Sequence, residues 1–169
     1  MDSARKPSAA HWARWLWLSV VVIAADQATK AAIVATIHTG EAFVVTPFFS
    51  LVLAFNTGAA FSFLSAASGW QRWLFVGIAV TAAVVIVVLL KRGGSAWYGA
   101  GLALILGGAL GNLFDRLVIG KVVDFLLFHY DRWAWPAFNV ADSAISVGAA
   151  LLIVDSLLPR ARAQSIVEH

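Results

Sequence analysis

Residues 107–125 read GGALGNLFDRLVIGKVVDF. The stretch begins inside an apolar run and passes into a segment carrying Asn112, Asp115, Arg116 and Asp124. Charges this close to a membrane-length apolar run are expensive, and persist where they pair, face water or do chemistry. Gly107 and Gly111 form a GxxxG, repeated more weakly by Gly108 and Asn112, so a neighbouring helix can approach closely. A second polar break, FNVADSA at residues 138–144, follows and contains Asn139 and Asp142.

Composition sets the class. The chain is 61% hydrophobic and 12% charged, against about 25% charge in a soluble domain. It therefore reads as one integral membrane domain of 169 residues. The pI is near 9.7, yet the net charge is only +3 and the basic residues lie beside apolar runs. That pattern marks membrane topology, and no nucleic-acid partner is expected. Without cysteine there are no disulfides, thiolate ligands or thiol nucleophile.

Four apolar runs are expected to span, at about 15–35, 73–90, 97–114 and 140–158, with external segments at about 36–69 and 115–139. The first is read as a retained span, because Ile23 is a poor match three residues before a signal-peptide cut and the apolar pattern continues. Residues 1–14 read as a disordered basic tail. Residues 47–55 read as a strand, Gly58 as a turn, and Phe61, Phe63, Leu64 and Trp70 as a short amphipathic piece on the bilayer. Residues 122–128 are strand-like, and 131–136 a turn and edge. The flanks assigned to one side carry seven Lys and Arg, the other side three, which places both termini in the cytoplasm.

Asp26 and Lys30 interrupt the first span at i and i+4, and read as a structural ion pair near the site. Asp142 opens the fourth span, about 24 Å of helix from Leu158, so it lies at the outer interface with Asp124. Two carboxylates sharing one site cannot both ionise cheaply. One keeps a proton while the other activates water, as an aspartic protease requires. Asn112 and Arg116, at i and i+4, could hold a substrate carbonyl or fix a carboxylate. The competing reading is helix-end capping with an Asp115–Arg116 surface pair. Asn56 and Asn139 sit at turns beside the proposed site. His38 and His129 read as isolated loop residues, so a zinc protease lacks ligands and no metal is expected. Residues 66–69, AASG, lack the first glycine of a rhomboid-like GxSG, and no serine is placed beside Lys30 for a serine–lysine dyad. Asp155 reads as an interfacial residue facing water. A small proton or ion carrier using Asp26, Lys30 and Asp142 is the alternative.

Four blocks now stand in order: DQATK at 26–30, NTGAAF at 56–61, GNLFDR at 111–116 leading to GKVVDF at 120–125, and FNVADSAI at 138–145. In this combination the chain resembles the lipoprotein signal peptidases, the type II signal peptidases of bacteria. The resemblance implies a mainly α membrane protein. Four transmembrane helices would carry a small external β-sheet cradle and a short interfacial helix, built from residues 36–69 and 118–138. It implies Asp124 and Asp142 as catalytic aspartates; Asn56, Gly58, Asn112, Arg116, Asn139 and Ala141, which lie in or beside the same blocks, are the candidates for binding substrate or positioning the dyad. No cofactor is implied. The implied substrate is a prolipoprotein carrying diacylglycerol on its lipobox cysteine, cleaved just before that cysteine in the bacterial inner membrane. Cyclic depsipeptides such as globomycin are the implied inhibitors.

Overall fold

A computed structural model describes residues 10–58 and 69–158. Residues 1–9 and 159–169 and the core of the amphipathic piece expected near Phe61 to Leu64, with Ser68, lie outside the described residues; residues 10–14, expected in the disordered tail, instead open α1. The elements are α1 (Ala10–Thr36), β1 (Ala42–Thr46), β2 (Phe49–Asn56), α2 (Trp70–Arg92), α3 (Ala96–Val118), β3 (Val122–Tyr130), β4 (Trp133–Ala134) and α4 (Val140–Leu157). All four helices are long and apolar enough to cross a membrane. Trp70, expected in the amphipathic piece, instead opens α2.

The helix α3 is the hub. More than half of its apolar window, 56%, is buried, against 11% for α2. The exposed face of α2 carries Trp73, Leu74, Ile78 and Val85, an apolar surface suited to lipid. Ile86 and Leu90 of α2 pack with Leu102 and Leu106 of α3 into a buried cluster. The glycines of the opening stretch divide α3 between two neighbours. A Cβ on Gly107 would lie 2.7 Å from Cβ of Val22 in α1; one on Gly108 would lie 2.3 Å from the Ala141 carbonyl oxygen in α4. Neither contact is possible for a real side chain, so these residues set how closely α1 and α4 approach α3.

The four strands form one antiparallel sheet in the order β1-β2-β3-β4. In the β2–β3 register Ala54 faces Asp124 and Asn56 faces Val122, after an irregularity between Leu51 and Ala54. Asn56 and Asp124 are thus diagonal neighbours on one face. The expected strand and edge are present, but His129 lies in β3 rather than a loop, with its Nε2 2.9 Å from the Ser50 hydroxyl.

The third span also runs further than the apolar run indicates. It ends at Val118, and Asp115 is buried inside it at 4% exposure. A carboxylate reads as a stop signal in sequence; here a partner on α1 lets the helix continue. Asp155 differs likewise. It is buried, and accepts a hydrogen bond from the Ser95 hydroxyl, which caps α3.

Candidate active site

Asn139 is the N-cap of α4 and forms a reciprocal capping box with Asp142. Its side-chain oxygen accepts from the Asp142 N–H at 2.9 Å, and its own N–H donates to Asp142 Oδ2 at 3.3 Å. Such a box satisfies otherwise orphaned donors at the helix start and locks the Asp142 rotamer. The Asn139 Nδ2 donates to Asp124 Oδ1 at 2.7 Å and to the Val123 carbonyl at 3.2 Å. One asparagine therefore holds both aspartates, one from the sheet and one from a helix.

Each aspartate has a further amide of its own. Asn56 Nδ2 donates to Asp124 Oδ2 at 3.0 Å, while its oxygen accepts from the Gly58 N–H at 2.8 Å, which fixes which way the amide faces. Gly58 has φ +85°, and a Cβ there would meet the Phe75 ring at 2.2 Å, so both conformation and space require glycine. Asn112 Nδ2 donates to Asp142 Oδ1 at 2.8 Å, and its oxygen accepts from Lys30 Nζ at 3.1 Å and Asn139 Nδ2 at 3.2 Å.

Beneath the pair lies a closed ion network. Lys30 Nζ is 2.8 Å from Asp26 Oδ2 and 2.8 Å from Asp115 Oδ2, and all three groups are buried. The expected i, i+4 pair is present, but with a second carboxylate. Asp26 Oδ1 accepts from the Ala141 N–H at 2.9 Å, and Asp115 Oδ2 accepts from the Val123 N–H at 3.2 Å. Ala141 and Val123 are the residues immediately before Asp142 and Asp124. The network thus holds the backbone on which each aspartate stands. Gln27 bridges it, donating to Asp115 Oδ1 at 2.9 Å, Asp26 Oδ2 at 3.1 Å and the Gly111 carbonyl at 3.3 Å.

The Asp115–Arg116 surface pair is not formed, because Asp115 turns inward to Lys30. Arg116 lies over the Phe75 ring at 4.9 Å and donates to the Asn112 carbonyl at 3.3 Å. Among the described residues no carboxylate lies within 4.0 Å of its guanidinium. Ala141 is fully buried and acts through its backbone. Sequence reading missed Gln27 and Phe75 as parts of the site, and missed the partner of Asp115. Gln27 and Asp115 lie inside the quoted blocks, but nothing in their spacing reveals their distant partners. Phe75 lies in the second span and carries no such signal.

Burial dominates the electrostatics of Asp124, which is 2% exposed in β3. Loss of water pushes its carboxyl up to about 6. The charge of Asp142 pushes the same way, while the Asn56 and Asn139 donors and Lys30 oppose it. The assembly can therefore hold one proton beside an oriented carboxylate below about pH 6.

Residues 18–158 match the family model described as Signal peptidase (SPase) II. A protein named Lipoprotein signal peptidase from Ralstonia nicotianae is 60% identical over 144 residues, 85% of this chain and 83% of that one. Another of that name, from Paraburkholderia phytofirmans, is 56% identical over 158 residues, 92% of each chain. Among solved structures, a bacterial membrane enzyme determined by the in meso method at 1.9 Å resolution superposes with TM-score 0.77 at 30% identity. It covers 88% of this chain and 95% of that one. With the match spanning most of its length and the site's asparagines and aspartates gathered at one point, the chain belongs to the signal peptidase II family.

Proposed function

We propose that Asp124 and Asp142 are the catalytic pair with which this aspartic endopeptidase removes signal peptides from prolipoproteins. The observation that carries the assignment is Asn139, which holds Asp124 Oδ1 at 2.7 Å and Asp142 Oδ2 at 3.3 Å through donors of one residue. Asp142 sits in the first turn of α4, where the helix dipole favours negative charge, and accepts from two N–H donors. It is the base. Asp124, with its raised carboxyl, is the acid.

In the reaction, Asp142 takes a proton from a water whose oxygen bonds to the scissile carbonyl carbon. Asp124 gives its proton to the carbonyl oxygen, forming a neutral tetrahedral diol. As the C–N bond breaks, Asp142 passes its proton to the leaving nitrogen, and a diol hydroxyl returns one to Asp124. The acid and amine products leave the pair as it began. Asn56 and Asn112 hold the dyad in position, and Arg116, with no carboxylate within 4.0 Å among the described residues, would hold a substrate carbonyl. Asp26 and Lys30 are structural.

The substrate carries diacylglycerol on its lipobox cysteine, and cleavage falls just before it. A lipid anchor presents that bond at the interface where α4 begins. Cyclic depsipeptides such as globomycin occupy the same pair. The excess of Lys and Arg on one side supports cytoplasmic termini in an inner membrane, with the dyad at the outer face; terminal reporter fusions that prove active outside would reverse this. The carrier alternative has no supporting observation, since Asp26 and Lys30 are committed to a closed network. Asp124→Asn and Asp142→Asn should each reduce cleavage of a lipidated precursor by roughly 10²–10⁴-fold without loss of folding. Full activity in either variant refutes the assignment.

A further inference from the structure

At the end of the bundle opposite the dyad, the first two turns of α1, the last turn of α2 and the first turn of α3 surround a cavity of about 180 Å³. Its charged lining is Arg14, Lys91 and Arg92, with Trp12, Trp15 and Ser95 beside them. Among the described residues no acidic residue lines it. Arg14 is held over the Trp15 ring at 5.1 Å and Lys91 over the Trp12 ring at 5.3 Å, so aromatic faces keep both charges at the cavity. Neither cation is in an ion pair among the described residues. Lys91 and Arg92 also offset the carbonyl end of α2, but Arg14 has no such role. Asp155, the nearby carboxylate, is buried behind Ser95 and lines the adjoining cavity instead.

We propose that this cavity binds the phosphodiester headgroup of an anionic membrane lipid. Three cations without a lining carboxylate favour a ligand of negative charge. A zwitterionic headgroup would bring its own ammonium into the same field. An arginine fork suits phosphate oxygens in a bidentate pair. The volume is more than ten times the roughly 10–15 Å³ that one water needs, room for a phosphate group and its first carbons. The tryptophans place the cavity at headgroup depth, where spans end, and the apolar Leu90 in its wall continues into the bundle. These features select a lipid over a soluble phosphate. The lipid would clamp the first three helices at the end where no strand crosses them.

The test is thermal unfolding of the full-length protein in neutral detergent, titrated with dihexanoyl phosphatidylglycerol or dihexanoyl phosphatidylcholine. Phosphatidylglycerol should raise Tm by roughly 5–10 °C near a hundred times its Kd, and phosphatidylcholine should not. Arg14→Gln and Lys91→Gln, both at exposed side chains, should keep the lipid-free Tm and lose most of that rise. Arg132→Gln, on the exposed turn before β4, should keep it. An equal rise with phosphatidylcholine, or a full rise in the Arg14 and Lys91 variants, overturns the site. An equal loss with Arg132→Gln reduces it to general surface charge and overturns it too. The same rise with sodium phosphate overturns the lipid assignment.

Discussion

Replacing Gly108 by alanine separates the two halves of the site without touching either carboxylate. The new Cβ would lie 2.3 Å from the Ala141 carbonyl oxygen and 2.7 Å from Cγ1 of Ile145. Ordinary contact begins at 3.4 Å, so α4 must retreat from α3 by about 1.1 Å at the residue before Asp142. The 2.8 Å bond from Asn112 to Asp142 then stretches to about 3.9 Å, beyond hydrogen-bonding range. A misplacement of about 1 Å can cost ~10²-fold in rate, and overpacking costs about 1–3 kcal/mol in stability. Gly108→Ala should therefore cleave a lipidated precursor about a hundredfold more slowly, with its helix content intact. Gly77→Ala is the control, because nothing lies within 4 Å of a Cβ there. The assay is initial cleavage rate in lipid nanodiscs, with circular dichroism and Tm on the same samples. If Gly108→Ala keeps more than half of the wild-type rate, close α3–α4 packing does not set the dyad.

The acid role of Asp124 predicts that kcat/KM falls as pH rises through about 6, where its carboxyl loses the proton. Asn56 lowers that value, so Asn56→Ala should move the alkaline limb to higher pH, and a limb that stays or moves down contradicts the assignment. In stability the sign is the same: the folded value lies above the reference 3.8, so the Asp124 contribution is full below about 4 and lost as pH rises through about 6. Asp124→Asn should remove that part of the Tm–pH curve. Lys30→Met would leave Asp26 and Asp115 buried without their cation and should destabilise by about 3–5 kcal/mol, measured by denaturant or thermal unfolding. Asp26→Ala should likewise lose Tm and turnover together; an unchanged Tm with no turnover would make Asp26 more than structural.

Much of this was legible before any coordinates. Apolar run length and the scarcity of charge dictate four spans, because a chain in lipid must satisfy its backbone within helices. The small residues at 107, 108 and 111 announce close helix approach, and the i, i+4 spacing of Asp26 and Lys30 announces their pairing. What remained hidden is the choice of partner. Asp115 sits beside Arg116 in sequence yet pairs with Lys30, because helical geometry points adjacent residues in different directions. Asp155 looked like a water-facing end residue until α3 brought Ser95 against it. His129 looked like loop until β3 extended to Tyr130.

The opening stretch at residues 107–125 shows the division. By itself the sequence determined that an apolar helix packs closely, runs into polar residues and delivers Asp124 near an interface, since composition and periodicity are local properties. Only the tertiary structure decided that Gly107 faces α1 while Gly108 faces α4, and that Asn112 reaches Asp142. It alone decided that the backbone before each aspartate hangs from carboxylates sharing Lys30. Those relations join residues 8 to 115 positions apart, and burial in a common low-dielectric site selects among partners that spacing leaves equivalent.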